Sequence, residues 1–273
     1  MRFDAKRVRR LLGQVVDAFR KHHLLTYTSA IAFQALIALV PLTLLGLGLL
    51  GAFGLEDTWR DSLAPAVRKK VTPQVFDGID STVEKIVRHG DAGLLVFAAL
   101  LATWYLAAAV RAIMEALNAL HGVKEDRPVR RRALLSAALA VVIEVCVIGA
   151  ILAVVVFPRA VDSGVAEVAL GLGRWALAVL LLGFVIGLLV RYAPAEKPET
   201  RWASAGTVLV IGAWIVASLL FRLWVDHVAN FKTPIGSLTM LLVLTGYLFV
   251  SALIFLVGVQ VDELLRKDVH SRR

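Results

Sequence analysis

Residues 133–157 read ALLSAALAVVIEVCVIGAILAVVVF and directly follow the basic run Arg130-Arg131-Arg132. These 25 residues are almost wholly apolar, and a helix of that length spans a bilayer. The stretch carries one charged side chain, Glu144. At about 1.5 Å per residue, Glu144 lies roughly 18 Å from the Arg132 end, close to the bilayer centre. An ionisable group at that depth is costly and usually faces a protein interior or a water-filled cavity, so Glu144 is the first candidate functional residue.

The rest of the chain repeats this pattern of long apolar blocks. Of the 273 residues, 59% are hydrophobic, and the mean hydropathy is +0.76. Six blocks approach or reach spanning length, at about 29–55, 92–117, 133–157, 175–190, 204–225 and 236–260. No remaining segment is large enough for an independent soluble domain. We therefore predict an all-α fold, a single integral membrane domain over residues 1–273 with six transmembrane helices.

The net charge of +9 is distributed unevenly between the loops. If the N-terminus is cytoplasmic, the inside segments 1–28, 118–132, 191–203 and 261–273 hold 19 Lys and Arg in 69 residues. The outside segments hold 9 in 63 residues, and 10 acidic residues nearly neutralise them. This asymmetry predicts that both termini are cytoplasmic. It also favours membrane topology over nucleic-acid binding as the reason for the basic charge, so we expect no nucleic-acid partner.

Two polar segments have a helical amphipathic pattern. Residues 4–27 place Val8, Leu12, Val15 and Phe19 on one side, which predicts an interfacial helix that acts as a topology anchor or as a sensor of anionic lipid. In the first outer loop, Thr72-Pro73 reads as the start of a second amphipathic helix over residues 72–89. A shorter helix is predicted around residues 59–70. The outer helices form a lid over the bundle or lie passively at the interface.

Several polar residues share the predicted depth of Glu144. Pro41 interrupts the first apolar block at nearly this depth, where it removes a backbone donor and favours a kink. Depth alone selects the conceivable partners of Glu144, which are Thr43, Thr103, Tyr105, Ser218, Thr245 and Tyr247. Glu144 then has either a transport or proton-relay role, or only a structural one as a protonated, hydrogen-bonded carboxyl.

Three further features are candidates for helix contacts and hinges. Arg111 and Glu115 are four residues apart on one helix face and could form an ion pair, and Arg111 can snorkel to the near interface. A positioning role for Arg111 is the alternative to substrate binding. Gly183 and Gly187 have the spacing of a close helix contact. Gly236-Ser237, after Pro234, suits a re-entrant or sharply turned start of the last span.

The sequence contains no recognised soluble-enzyme motif. There is no P-loop, no dinucleotide fingerprint and no paired Cys/His spacing for zinc, and the six histidines are scattered. We therefore predict no cofactor, no metal site, no catalytic residues and no enzymatic activity.

Several segments together resemble the YihY/BrkB family of bacterial inner-membrane proteins. The similar segments are Thr28-Ser29-Ala30-Ile31-Ala32-Phe33 followed by Val40-Pro41-Leu42, Ala116-Leu117-Asn118, Gly122-Val123-Lys124-Glu125-Asp126-Arg127-Pro128, Ile235-Gly236-Ser237-Leu238 and Gly258-Val259-Gln260. Ile235 replaces a family tyrosine and Gln260 a family glutamate. The resemblance implies six spans in the bacterial inner membrane with both ends cytoplasmic. It brings the older family label ribonuclease BN, which this sequence does not support because it has no nuclease carboxylate cluster or histidine pair.

Two hypotheses follow for function. The first is a transporter-like protein that moves a small solute or lipid component through a polar cavity between the helices. Its candidate residues are Glu144, Arg111, Pro41, Tyr105, Tyr247, Gly236 and Ser237. The second is a non-transporting scaffold or lipid-interacting envelope protein that uses its amphipathic helices. Membrane lipids are the expected partners in both.

Overall fold

The computed structural model of the chain describes residues 13–14, 17, 19–69, 73–88, 92–156, 164–195, 205–227 and 234–270. All regular structure in these residues is helical, which confirms the predicted all-α class. The predicted amphipathic helix at residues 4–27 falls largely outside the described residues. Phe19, which is described, packs against the main hydrophobic core.

Six long helices form the body of the protein. They are α1 (Leu24–Ala52), α5 (Ala92–His121), α6 (Val129–Val156), α7 (Gly164–Tyr192), α8 (Ala205–His227) and α9 (Pro234–His270). Between α1 and α5 lie α2 (Glu56–Thr58), a π-helical turn (Trp59–Leu63), α3 (Ala64–Arg68) and α4 (Pro73–Arg88). Each long helix contains a stretch apolar and long enough to cross a membrane, so the six predicted spans are confirmed.

The helix ends differ from the predicted span boundaries for local reasons. The first span begins at Leu24 rather than at residue 29, directly after His23, whose left-handed backbone (φ 50°) interrupts the preceding helical turn. It ends before Gly54 (φ +66°), where the Leu55 amide donates to the Leu50 carbonyl at 2.8 Å in a Schellman turn. At the other end of the chain, α9 continues past residue 260 as one helix to His270. The predicted tail is therefore helical over most of its length.

The long helices pack as a ring in chain order. Helix α1 packs against α5, and α5 against α6, α6 against α7, α7 against α8 and α8 against α9. The ring closes where α9 packs against α1, and α5 also contacts α9. One end of this bundle contains Leu24, Asn118, Ala195 and Gly206, together with Asp262 of α9. We call this end the basic face because Arg127, between α5 and α6, and Arg130-Arg131-Arg132, at the start of α6, also lie there. The opposite face carries the short helices α2 to α4.

The hydrophobic core is concentrated towards the basic face. Side chains of all six long helices meet there, among them the fully buried Leu24, Met114, Leu117, Ile186 and Leu256. Smaller clusters join α1, α5 and α6 farther along the bundle. The end of the bundle at the basic face is thus filled with apolar side chains.

The amphipathic helix predicted over residues 72–89 is confirmed as α4. Phe76, Val83 and Val87 on its apolar face form a cluster with Trp59 and Ala64 of the neighbouring short helices. The Trp59 Nε1 atom donates a hydrogen bond to Asp80 at 2.8 Å, and Arg60 pairs with Glu84 at 3.2 Å. Helix α4 lies directly on the end of α1, where a Cβ on Gly51 would collide with the Val87 backbone. These helices therefore cover the end of α1 that is remote from the basic face.

A close helix crossing joins α8 and α9 through two glycines. A Cβ on Gly206 would lie 2.5 Å from the Gly258 carbonyl oxygen, and a Cβ on Gly258 would collide with the Val210 side chain. The predicted contact glycine Gly183 faces Ile211 at an ordinary distance of 3.5 Å. Close backbone approach thus occurs at a pair of glycines from different helices, which sequence spacing within one helix does not reveal.

Candidate functional site

Glu144 is buried between α5 and α6, where it is 6% exposed. The Thr103 hydroxyl donates a hydrogen bond to its Oε2 atom at 2.6 Å. Of the partners proposed from depth, Thr103 is the one that the described structure brings to this carboxyl group. The pair lies in a predominantly apolar environment in the middle third of α6, as its sequence position predicts.

An apolar crevice begins about one helical turn beyond Glu144, on the side away from the basic face. Its volume is about 200 Å³. The lining residues come from α1, α6 and the π-helical turn, and they are Leu39, Leu42, Thr43, Gly46, Leu47, Leu50, Leu63, Val147, Ile148, Ile151 and Leu152. Val147 and Ile148 follow Glu144 by three and four residues, so they share its face of α6. Glu144 itself precedes the lining by about one helical turn and is not one of the lining residues.

The crevice offers almost no polar groups. Among the lining residues that the structure describes, Thr43 has the one polar side chain, and its hydroxyl donates to the Leu39 carbonyl of its own helix at 2.7 Å. Ile151 is 54% exposed, so the crevice has an open side. The sequence predicted a polar cavity reaching Glu144, whereas this cavity is apolar and its lining stops about one helical turn short of Glu144.

The other residues selected by depth have described contacts with neighbours other than Glu144. Tyr105 packs in a cluster with Ala38 and Ala107. The Tyr247 hydroxyl is 2.8 Å from the Ser218 hydroxyl, which makes a polar contact between α9 and α8. The Thr245 hydroxyl donates to the Leu241 carbonyl of its own helix at 2.7 Å. The shared depth of these residues therefore does not mean that they share a cavity.

The proposed hinge residues lie within continuous helices. Pro41 is buried inside α1, which runs through it from Leu24 to Ala52. Gly236 and Ser237 belong to the first turn of α9, which begins at Pro234. The chain just before Pro234 and the Ser237 side chain lie outside the described residues. Their predicted roles as hinges remain predictions.

Arg111 contacts a different partner from the one its spacing suggests. Its Nη1 atom lies 3.4 Å from the Ser136 hydroxyl of α6. Glu115, the residue four positions away, pairs instead with Arg132 at the start of α6. The expected ion pair within α5 is thus replaced by contacts between α5 and α6, because the neighbouring helix brings a second guanidinium to the carboxylate.

A hydrogen-bonded cluster at the basic face joins the α5–α6 loop to the end of α7, and we call it the clasp (Asn118, Glu125, Arg127, Ala193 and Ala195). Two guanidinium nitrogens of Arg127 donate to the Glu125 carboxylate at 2.6 and 2.7 Å, and Nη2 also donates to the Ala193 carbonyl at 2.9 Å. Asn118 donates to Glu125 and accepts from the Ala195 amide, each at 2.8 Å. These contacts stabilise the relative position of three segments.

The clasp holds Glu125 in its ionised form. Hydrogen bonding from Arg127 lowers the pKa of Glu125 from 4.5 to about 2, with a further contribution from Asn118, and these effects exceed the opposing effect of burial. In the sequence, Asn118 and residues 122–128 indicate only a family resemblance and do not predict the clasp. The Glu125-x-Arg127 spacing next to a turn is the sequence signal that could have indicated the clasp. The residues at the end of α7 that complete the clasp are distant in sequence, so spacing does not reveal them.

No metal centre forms among the residues that the structure describes. His121 lies near an acidic group, with its Nε2 atom 3.7 Å from the Glu263 carboxylate. Its Nδ1 atom lies 2.6 Å from the Leu117 carbonyl of its own helix. This pair links α5 to α9 at the basic face.

Six apolar helices of spanning length around a shared core define a polytopic integral membrane protein. A family model described as virulence factor BrkB matches residues 15–273. The chain therefore belongs to the BrkB family, and the resemblance noted in the sequence is confirmed.

The relatives are distant but match over most of this chain. The putative ribonuclease-like protein YfkH of Bacillus subtilis (strain 168) is 24% identical over 94% of this chain and 95% of its own length. A UPF0761 membrane protein of Halorhodospira halophila is 24% identical over 86% of this chain, and the match spans 52% of the relative. The membrane protein Mpe_A1422 of Methylibium petroleiphilum is 26% identical over 88% of this chain and 58% of its own length. No solved structure matches the chain.

Proposed function

We propose that this protein binds a lipid component in the crevice between α1 and α6 and moves it within the membrane. The observation that carries this proposal is the apolar lining of a cavity of about 200 Å³ at membrane depth. A polar solute would have to leave water for a site without free polar groups, which is costly. An acyl or other hydrocarbon chain meets a favourable surface there.

The dimensions of the crevice support one leaflet as the source of the lipid. From Leu39 to Leu50 on α1 the crevice extends about 16 Å along the helix axis, at about 1.5 Å per residue. The hydrocarbon core of a bilayer is about 30 Å thick, so the crevice matches one leaflet. Because α1 runs from the basic face outwards, this is the leaflet remote from the basic face. The excess of Lys and Arg supports a cytoplasmic location of the basic face in a bacterial inner membrane.

Glu144 has a proposed role at the inner end of the crevice. A lipid that passes this depth must bring a polar group past apolar side chains, and the Glu144 carboxyl with its Thr103 donor offers a hydrogen-bonding partner there. The isosteric Glu144→Gln variant removes the ability to exchange a proton. Full lipid movement in this variant would eliminate a proton-relay role and leave only hydrogen bonding.

The second candidate function is a lipid-interacting scaffold that moves nothing. The filled apolar core at the basic face favours it, because Leu117, Leu256 and their neighbours leave no described path through that end of the bundle. The proposal includes no enzymatic reaction. The ribonuclease-like name of the Bacillus relative is a description of that protein, and nuclease chemistry at a metal would require a group of ligands that the described residues do not provide.

Lipid exchange in proteoliposomes separates the two candidates. Lipids with a fluorescent headgroup are reconstituted with the full chain, and a membrane-impermeant reductant then reports how much label reaches the outer leaflet. The reductant destroys the half of the label that starts in the outer leaflet. If the protein moves lipid between leaflets, more than half of the fluorescence is lost within minutes. A wild-type protein that leaves half of the label protected, in vesicles shown to contain folded protein, would favour the scaffold.

Two glycine variants test whether the crevice is the site. Gly46 lines the crevice, and a Cβ there has no atom within 4 Å, so Gly46→Leu fills the cavity without a clash at Cβ. Gly149 on α6 is equally open but does not line the crevice, which makes Gly149→Leu the matched control. We expect Gly46→Leu to abolish lipid movement and Gly149→Leu to retain it. Equal activity of the two variants would contradict the assignment of the crevice.

A further inference from the structure

A second polar cluster lies between α5 and α6, near the basic face. Arg111 and Glu115 come from α5, and Arg132 and Ser136 come from α6. Arg132 pairs with Glu115, and Arg111 reaches the Ser136 hydroxyl at 3.4 Å. These two cross-contacts put both guanidinium groups along the same groove between the helices. The cluster is separate from the crevice, which lies between α1 and α6 towards the opposite face.

The cluster contains two positively charged guanidinium groups and one carboxylate. Among the residues that the structure describes, Glu115 is the one carboxylate that pairs with the cluster, and it pairs with Arg132. Among the described residues Arg111 has no acidic partner, and its hydrogen bond to Ser136 is long. The Nε atom of Arg132 is buried and has no hydrogen-bond partner. The groove therefore contains unused guanidinium donors and a net positive charge.

The helix face that carries Arg111 continues into an exposed apolar surface of the bundle. Trp104 precedes Arg111 by seven residues, two helical turns along the same face, and is 69% exposed. Phe97 and Leu100, farther along this face, are also exposed. Arg111 lies about 15 Å along the helix from His121, where α5 ends, so its charge is at membrane depth. A cation in that position needs water or an anion.

We propose that this groove binds the phosphate of an anionic phospholipid in the leaflet at the basic face. A guanidinium group binds a phosphate through paired, charge-assisted hydrogen bonds. Basic pockets between transmembrane helices bind anionic headgroups in this way. The phosphate neutralises Arg111 and completes a cluster that has too few acceptors, while the acyl chains pack along the exposed Trp104 face of α5. Arg130 and Arg131, both exposed at the start of α6, add attraction at the membrane surface.

The test is selective stabilisation of the purified full chain by anionic lipid. The protein is titrated in neutral detergent micelles with phosphatidylglycerol or with phosphatidylcholine, and the midpoint temperature of unfolding is followed. We expect half-saturation at a lower mole fraction of phosphatidylglycerol. Arg111→Gln should raise that mole fraction about tenfold, since one charge-assisted contact is lost. The control Arg131→Gln removes the same charge from an exposed position and should change it less than about twofold.

Several outcomes would overturn the proposal. Equal half-saturation of wild type and Arg111→Gln would remove Arg111 from the site, and an equal loss in Arg131→Gln would reduce the effect to general surface charge. Stabilisation by dissolved inorganic phosphate that Arg111→Gln abolishes would assign the site to a free anion instead of a lipid. If Arg111→Gln does not fold, Arg111→Lys keeps the charge but loses the paired donors. An unchanged preference for phosphatidylglycerol in the lysine variant would then contradict the guanidinium–phosphate contact.

Discussion

The clasp at the basic face should be a major source of stability for the packing of α7 against the α5–α6 loop. Arg127→Ala removes three side-chain hydrogen bonds and leaves the Glu125 carboxylate with the Asn118 side chain and the backbone amide of residue 127. The Arg127 and Glu125 side chains are 11% and 20% exposed, so the remaining charge is poorly hydrated. Removing one partner from a buried pair costs about 3 to 5 kcal/mol. Since the clasp borders water, we expect about 2 to 3 kcal/mol.

The pKa of Glu125 leads to a similar magnitude. A fall from 4.5 to about 2 corresponds to roughly 3 kcal/mol, and screening by nearby water reduces this to about 2 kcal/mol. Because the pKa of Glu125 is lower in the folded protein, this stability is present above pH 4.5 and is lost as the pH falls towards 2. Wild type should therefore lose more stability across this interval than Glu125→Gln does.

Unfolding in mixed micelles measures these effects. Titration with a denaturing detergent, followed by tryptophan fluorescence, gives the free energy of unfolding for Arg127→Ala, Glu125→Ala and the double variant. The control is Lys124→Ala, since Lys124 is exposed in the same loop and should change stability by less than about 0.5 kcal/mol. A coupling energy between Arg127 and Glu125 below about 0.5 kcal/mol would refute the reasoning.

Two further predictions concern the helix contacts. Gly258→Leu forces a side chain into Val210 and should destabilise the protein by about 1 to 3 kcal/mol in the same unfolding assay. The control Gly212→Leu, at an open position of α8, should leave the free energy of unfolding unchanged. Equal effects of the two variants would argue against the tight α8–α9 crossing. Thr103→Val removes the described hydrogen bond to the buried Glu144 and should cost about 1 to 3 kcal/mol, and an unchanged free energy of unfolding would show that the carboxyl group finds another partner.

The sequence alone predicted the class of fold because apolar block length is a direct physical requirement of a bilayer. It also predicted α4, since an amphipathic period of 3.6 residues is visible without knowledge of the partner. The start of α4 at Pro73 agrees with the preference of proline for the first helical position. Glu144 was correctly selected as a buried carboxyl within an apolar span.

Contacts between helices could not be predicted in the same way. Helical spacing suggested an Arg111–Glu115 pair, but the structure gives Glu115 to Arg132, since a neighbouring helix competes for the same carboxylate. Depth suggested that Tyr247 belongs with Glu144, yet Tyr247 pairs with Ser218. Depth and spacing describe one helix at a time, whereas a partner depends on the rotation of two helices about their axes.

The sequence by itself therefore determined that this protein has six helices that can span a membrane, an amphipathic helix between the first two of them and a carboxyl group in the middle of an apolar span. Only the tertiary structure decided that Thr103 is the described partner of this carboxyl group and that the adjoining cavity is apolar. Burial in a bilayer constrains the composition of each helix separately, so it can be read from a single chain. The side chains that line a cavity depend on which faces of α1 and α6 meet. The packing of the two helices determines which faces these are.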